Sequence, residues 1–324
     1  MQMFRSYPSI TSFDKKSSVN LLCQAVPDDE KWHVSCKIHG CNFQLQTDGE
    51  SVKAGSRNKF VSDFDLVHFH HCGEIVKQNE QKMLDLFKLI NNEQECKELI
   101  VYGELFGGQY PGFPQLTKPV QKQILYCPQV NFAGMDIRID GKFTSKTECN
   151  KWLKSVDILF VPSLFIGTKE EAFAYSELHY DKPSTIPDLL GLPPITTAVN
   201  IREGCIIQPN GVYYAGGKSD RVIFKHKNEK WCERSAKVKP VSKSEMANSE
   251  LFLTACEMIT ENRMTNILSH YTEELPEGKL IGLMTQDILK ELEDGPDPKQ
   301  MQQFKKLLSV EIKANIANWK NLEE

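Results

Sequence analysis

Apolar positions in this chain follow two periods, and the period changes along its length. Through the first two-thirds, short apolar or alternating runs are separated by turn residues. Residues 34–37 and 41–46 read as strands on either side of a turn at His39-Gly40, with a second turn at Asp48-Gly49. Residues 99–102 read as a short buried strand, 131–139 as a longer one ended by Asp140-Gly141, and 205–207 and 222–224 as two more. In the same region Met83, Leu84, Phe87 and Ile90 recur at helical intervals and predict a helix over 81–90.

Beyond residue 250 the spacing becomes helical throughout. Leu251, Ala255, Met258 and Ile259, then Met264, Ile267 and Leu268, follow a period of about 3.6 residues. Pro276-Glu277-Gly278 breaks the pattern, and 281–292 and 299–319 resume it. Between the two regimes, residues 237–244 are basic, contain Pro240 and lack large apolar side chains, as a linker does. The expected architecture is α+β: a domain of antiparallel sheets and helices over 1–236, a linker over 237–244, and a small all-α domain over 245–324. No internal repeat or low-complexity tract interrupts it.

Composition narrows the class. With 324 residues, 40% hydrophobic and 25% charged, the chain has the make-up of a soluble globular protein of one large and one smaller domain. No apolar run approaches the roughly 20 residues of a membrane span. The first residues are polar and mixed, without the layout of a secretion signal, so a cytoplasmic protein without a membrane partner is expected. Ten cysteines are scattered among apolar runs and read as reduced thiols. The net charge of −4 hides a basic stretch between Lys218 and Lys243, which suits either a solvated surface or a polyanion.

The candidate chemistry lies in four separated pieces: Lys37-Ile38-His39-Gly40, Tyr102-Gly103-Glu104, Glu203-Gly204-Cys205 and Lys225-His226-Lys227. Each alone is common in soluble proteins; in this order they fit attack by a lysine on a nucleoside triphosphate. A lysine amine is protonated near neutral pH and becomes a nucleophile when nearby cations or desolvation favour the neutral form. Lys225 and Lys227 project from one face of a strand, where they suit both that task and the grip of a triphosphate. Attack at the α-phosphorus gives a lysyl phosphoramidate and expels pyrophosphate, a reaction that depends on positioning and charge neutralisation. In that scheme Glu203 holds Mg²⁺, Glu104 meets a ribose hydroxyl, and His39 lies near the nucleoside.

These residues give the chain a resemblance to the RNA ligase 2 family of covalent nucleotidyltransferases, which includes the phage double-strand RNA ligase and the trypanosome RNA-editing ligases. The run from Lys37 through His39, Asn42 and Phe43 is similar to that family's nucleophile motif, and His39 stands where DNA ligases and capping enzymes usually carry Asp. The resemblance implies an ATP-grasp-like ligase domain and an ATP-dependent RNA ligase that seals 3′-OH and 5′-phosphate ends at nicks in duplex RNA. The route is through lysyl-AMP and RNA-adenylate, with Mg²⁺ or, in its place, Mn²⁺. It assigns catalysis to Lys37, Glu203, Lys225 and Lys227, and nucleotide binding to Ile38, His39, Asn42, Arg57, Glu104 and Met135 together with the two lysines. RNA contacts fall to Arg57, Gln121, Arg221, Arg263 and Asp287. For Arg263 and Asp287 a buried inter-helix salt bridge is the equal alternative. A monomer acting on nicked duplex RNA is expected.

The sequence departs from that pattern at two places. Cys36 precedes the lysine where the family often has Glu, and Met135 in Phe132-Ala133-Gly134-Met135-Asp136-Ile137 takes the position of an aromatic that stacks on adenine. Methionine covers a ring face less rigidly, which leaves ATP against GTP open. A DNA ligase, a guanylyltransferase or an inactive RNA-binding relative stands as the alternative. His68, His70, His71 and Cys72 form the densest group of potential metal ligands; without a second pair elsewhere, packing or phosphate contact accounts for them better than zinc does. Cys36 and Cys41 read as strand packing ahead of a redox pair.

Overall fold

The computed structural model describes residues 3–62, 66, 69–195, 200–215, 220–228, 250–292, 296 and 301–320. The chain divides into two units, Met1–Asn228 and Glu229–Glu324. The expected boundary at 236 and the expected linker at 237–244 lie outside the described residues, as does most of the basic stretch.

The first unit is built on two five-stranded sheets. One runs in the order β1 (Thr11–Ser12), β12 (Phe224–Lys227), β9 (Gly204–Pro209), β2 (Trp32–Lys37), β8 (Ser163–Gly167); β1 and β12 are parallel and the rest antiparallel. The other is antiparallel throughout: β4 (Val52–Gly55), β3 (Cys41–Thr47), β5 (Leu99–Gln109), β6 (Cys127–Ile139), β7 (Lys142–Phe143). A short ribbon, β10 (Tyr214–Ala215) with β11 (Asp220–Arg221), completes the strands described.

Side-chain alternation explains the layers. From β3 and β5, Cys41, Phe43, Leu45, Leu99, Val101 and Leu105 enter one core with Ile75, Met83, Leu86 and Ile90 of helix α2 (Cys72–Glu93) and Cys149 and Leu153 of α3 (Lys146–Ser155). Asn42, Gln44, Tyr102 and Glu104 alternate with that set and occupy the opposite face. In the other sheet Trp32, Val34, Cys205, Ile207 and Phe224 pack with Val19 and Leu22 of α1 (Lys16–Cys23) and Ala172 of α4 (Lys169–His179). Their alternates include Lys37, Lys225 and Lys227, so the charged residues project from the face opposite that core.

Local differences from the sequence reading have physical causes. The last strand spans Phe224–Lys227 instead of 222–224, because Phe224 and His226 are the buried alternates while Val222 and Ile223 are buried outside the ladder. Helices α3 and α4 escaped the apolar-period reading. Both announce themselves by capping boxes, Ser145 with Glu148 and Thr168 with Glu171. The helix expected over 81–90 extends over Cys72–Glu93.

The second unit is helical as expected: α6 (Glu250–Glu257), α7 (Glu261–Leu268), α8 (Glu277–Glu291) and α9 (Met301–Lys320), with the one-turn α5 (Ile186–Leu189) belonging to the first unit. Phe304, Leu308, Ile312 and Ile316 recur every fourth residue on α9 and pack with Phe252, Met284 and Ile288. Among the described residues no helix is long and apolar enough to cross a membrane.

Candidate active site

Lys37 closes β2 and Cys41 opens β3, so Ile38-His39-Gly40 is the passage from one sheet to the other. Only glycine fits at its end: a Cβ on Gly40 would lie 2.0 Å from the Leu105 carbonyl oxygen. On β9, Gly204 pairs with Lys37 on one side and Lys227 on the other. Two lysines thus flank a position without a side chain. Their amines meet the carboxylate of the preceding residue, Lys37 Nζ at 2.6 Å from Glu203 Oε2 and Lys227 Nζ at 3.6 Å from Oε1. His39 Nδ1 stands 3.6 Å from the same Oε2.

The carboxylates Glu203 and Glu104 respond oppositely to this setting. Burial alone would raise the Glu203 carboxyl, but Lys37, a hydrogen bond from His39 and Lys227 overcome it and hold the group well below the usual carboxylate range. Glu104, opposite Asn42 in the ladder, is pushed up to about 8 by burial, which the Lys37 and Arg57 charges and a hydrogen bond from the Gly40 backbone only partly offset. Glu203 is therefore a carboxylate and Glu104 largely a neutral acid near pH 7. Lys37 and Lys227 lie beside Glu203, and the charges of Lys37 and Arg57 act on Glu104.

The remaining assigned residues fall into distinct settings. Ile38 and Asn42 are buried beside the turn. Arg57 is half-buried and reaches Ser9 Oγ at 3.4 Å. Lys225 shares a strand face with Lys227, and its carbonyl accepts from the Phe13 amide at 2.9 Å. Met135 packs against Tyr7, Ile100 and Tyr102, and its carbonyl accepts from Lys146 Nζ at 3.1 Å.

Three of the residues expected to contact RNA are buried. Arg221 is paired with Asp136 and lies over the Phe143 ring; the Tyr7 hydroxyl donates to the same carboxylate at 3.0 Å. Leaving either charge of such a buried pair without its partner is costly. Arg263 is wholly buried in the helical unit, where it donates to Asp287, to Glu291 at 2.9 Å and to the Met258 carbonyl at 2.9 Å; the inter-helix alternative describes it and Asp287. Gln121 is also buried, its Nε2 donating to the Gly40 carbonyl at 3.3 Å and its Oε1 without a hydrogen-bond partner.

Two residues at the turn were not singled out from sequence. The His39 amide donates to the Tyr126 hydroxyl at 2.8 Å, and His39 Nε2 lies 3.1 Å from Gln123 Oε1. Both lie in a Gly- and Pro-rich stretch whose lack of periodicity hides them.

The other sequence clusters are structural. Phe69 and Cys72 enter the core, His70 and His71 take left-handed backbone ahead of α2, and His68 lies outside the described residues. Among the described residues no group of His, Cys, Asp and Glu is arranged to hold a metal unaided. Burial pushes the Cys36 thiol up to about 12, which makes it inert.

The model of the RNA ligase family matches residues 30–227, which include Lys37 and its following turn, Glu104, Glu203, Lys225 and Lys227. A comparison with curated protein sequences returned no match. Among solved structures, a lysine-to-alanine variant of the Naegleria gruberi RNA ligase with ATP and Mn is 16% identical, with a TM-score of 0.45 over 71% of this chain and 58% of that one. The same ligase with PPi is 17% identical, with a TM-score of 0.47 over 72% and 58%. The chain thus spans less than two-thirds of the length of those relatives. The family match, covering more than half of the sequence, places this chain in the RNA ligase family.

Proposed function

We propose that this protein is an ATP-dependent RNA ligase that joins 3′-OH and 5′-phosphate ends of RNA, with nicked duplex as the substrate. The observation that carries the reading is the pair Lys37 and Lys227 converging across Gly204 on Glu203. The charges of Lys37 and Arg57 beside a largely neutral Glu104 suit a triphosphate.

In the first step the Lys37 ammonium gives up its proton to solvent water. The amine forms a nitrogen–phosphorus bond at the α-phosphate of ATP, and the bond to the β-phosphate breaks to release pyrophosphate. Lys225 and Lys227 neutralise charge on the phosphates, and Glu104 donates to or accepts from a ribose hydroxyl. The AMP then passes to the RNA 5′-phosphate, and attack by the 3′-OH forms the phosphodiester and releases AMP. Glu203 would hold a Mg²⁺ or Mn²⁺ ion, which would supply charge neutralisation at the phosphates. ATP, AMP and manganese are the ligands named for Naegleria gruberi ligase structures, and they are the ligands assigned to this site. Met135 remains the residue proposed to cover the base, and Arg57 the one proposed at the RNA end.

The test is direct. Incubated with Mg²⁺ and α-labelled ATP, the protein retains label after denaturation, and Lys37→Ala retains none. Label from GTP alone would point to a guanylyltransferase, and absence of label from both nucleotides overturns the enzyme reading. Nicked RNA should be sealed in preference to nicked DNA; the reverse preference assigns a DNA ligase.

A further inference from the structure

Residues 120–126 lie across the turn that follows Lys37 and touch it three times. Gln121 Nε2 donates to the Gly40 carbonyl at 3.3 Å, Gln123 Oε1 lies 3.1 Å from His39 Nε2, and the Tyr126 oxygen accepts from the His39 amide at 2.8 Å. The strap is itself anchored. The Val120 amide donates to the Gly107 carbonyl at 3.0 Å, and the Tyr126 ring meets the Phe106 ring edge-on at 5.4 Å. The Asn200 side chain brackets Leu125, accepting from its amide at 2.9 Å and donating to its carbonyl at 2.6 Å.

Asn200 lies just ahead of Arg202 and Glu203. The Ser184 amide donates to its carbonyl at 2.9 Å, and the Arg202 amide donates to the Lys182 carbonyl at 3.1 Å. One segment therefore fixes two things that the proposed chemistry needs in register, the turn behind the nucleophile and the approach to the carboxylate that faces it. Three of the strap's side chains do this without being placed on the nucleotide.

We propose that residues 120–126 are a positioning strap for the Lys37 nucleophile, with Tyr126 as its principal positioning residue and Gln123 as its second. This rests on the reading of Lys37 as the site of nucleotide attachment. Tyr126 is buried, and burial holds its phenol well above its ordinary pKa, so it stays a neutral hydroxyl. Without the phenol oxygen, the His39 amide loses its acceptor in a buried place. The turn must then shift to find another. A displacement of about 1 Å at a reacting group costs on the order of 100-fold in rate.

The test separates this role from a general structural one. Step one uses Lys37 as nucleophile; sealing of RNA that is already adenylylated does not. Tyr126→Phe keeps the ring and removes the oxygen. It should lower the rate of lysyl-nucleotide formation by about 10- to 100-fold while the KM for ATP moves less than about 3-fold. Sealing of pre-adenylylated nicked RNA should stay within about 2-fold of wild type, and hydrogen exchange at the peptide containing the His39 amide should speed up. Gln123 is exposed, so Gln123→Ala leaves the fold intact and should slow step one by a smaller factor. Equal loss in both reactions, or wild-type step one in Tyr126→Phe and Gln123→Ala, overturns the strap. If Tyr126→Phe does not fold, Gln123→Ala decides alone. A wild-type protein that takes no label defeats the ligase reading instead, and the strap with it.

Discussion

Lys37 in the sheet unit and Arg263 in the helical unit are both cations set against carboxylates, yet their surroundings differ in kind. Arg263 is one guanidinium facing Asp287 and Glu291, wholly buried, with a backbone carbonyl taking a further N–H. Its planar fork is matched by fixed acceptors, which is how a buried arginine locks helices together. Around Lys37 the balance is reversed: Lys37 and Lys227 share Glu203, the neighbouring Glu104 is pushed up to about 8, and the Lys37 side chain keeps 20% of its surface exposed. A saturated network holds a fold. A network in which two lysines share one carboxylate, with a path to solvent, suits an anion that arrives from outside.

Four changes would break or sharpen this contrast. The largest effect belongs to Lys37→Ala, which should reduce covalent nucleotide attachment by more than about 1000-fold. It should cost the fold less than Arg263→Met does, since the buried Glu203 keeps Lys227 and His39. Retained label would end the distinction. Arg263→Met should do the converse. Leaving Asp287 and Glu291 without their cation costs about 3 kcal/mol, visible in denaturant unfolding, while nucleotide attachment stays within about 2-fold. A large loss of attachment with unchanged unfolding would move Arg263 into the functional class.

Glu104→Gln tests the electrostatics by pH. The folded Glu104 carboxyl titrates at about 8 against an ordinary 4.5, so the native state keeps a proton that the unfolded chain releases. Its stabilising contribution is whole below about pH 4.5 and is lost as pH rises towards 8. Unfolding measured across that window should therefore show wild-type stability falling with pH, and a shallower fall in Glu104→Gln. Identical slopes would mean that Glu104 is not held neutral. Glu203 has the opposite sign: held below its ordinary value, it stabilises above about 4.5 and that contribution is lost as pH falls. The smallest effect is for Thr260→Ala. It removes the cap whose oxygen accepts from the Arg263 amide at 3.2 Å and should cost about 1 kcal/mol. A cost near that of Arg263→Met would show that helix geometry, and not the ion network, sets the stability.

The legible and illegible parts of the molecule divide along physical lines. Short-range patterns were legible. Alternation found β2 and β3 about their glycine turn, the 3.6-residue spacing found the helical unit, and the order of Lys37, Glu104, Glu203, Lys225 and Lys227 pointed to one chemistry. Helices α3 and α4 carried capping boxes that an apolar-period reading passes over. Gln123 and Tyr126 had no such mark. They meet His39 across 84 and 87 positions of chain, and no local period reports a contact at that separation.

Burial decided the rest. Charge in sequence is silent about which cation will find an internal partner: Arg221, expected to contact RNA, is buried against Asp136, and Arg263, for which RNA contact and an inter-helix salt bridge stood equal, is paired with Asp287. The sequence by itself determined the two regimes of secondary structure and the set of ionisable groups able to do nucleotidyl chemistry, because both are written in residue type and near-neighbour spacing. Only the tertiary structure decided which carboxyl burial holds neutral and which cations are buried in internal pairs. It also decided which side chains meet the turn after Lys37. Those properties arise from desolvation and from contacts between strands far apart in the chain.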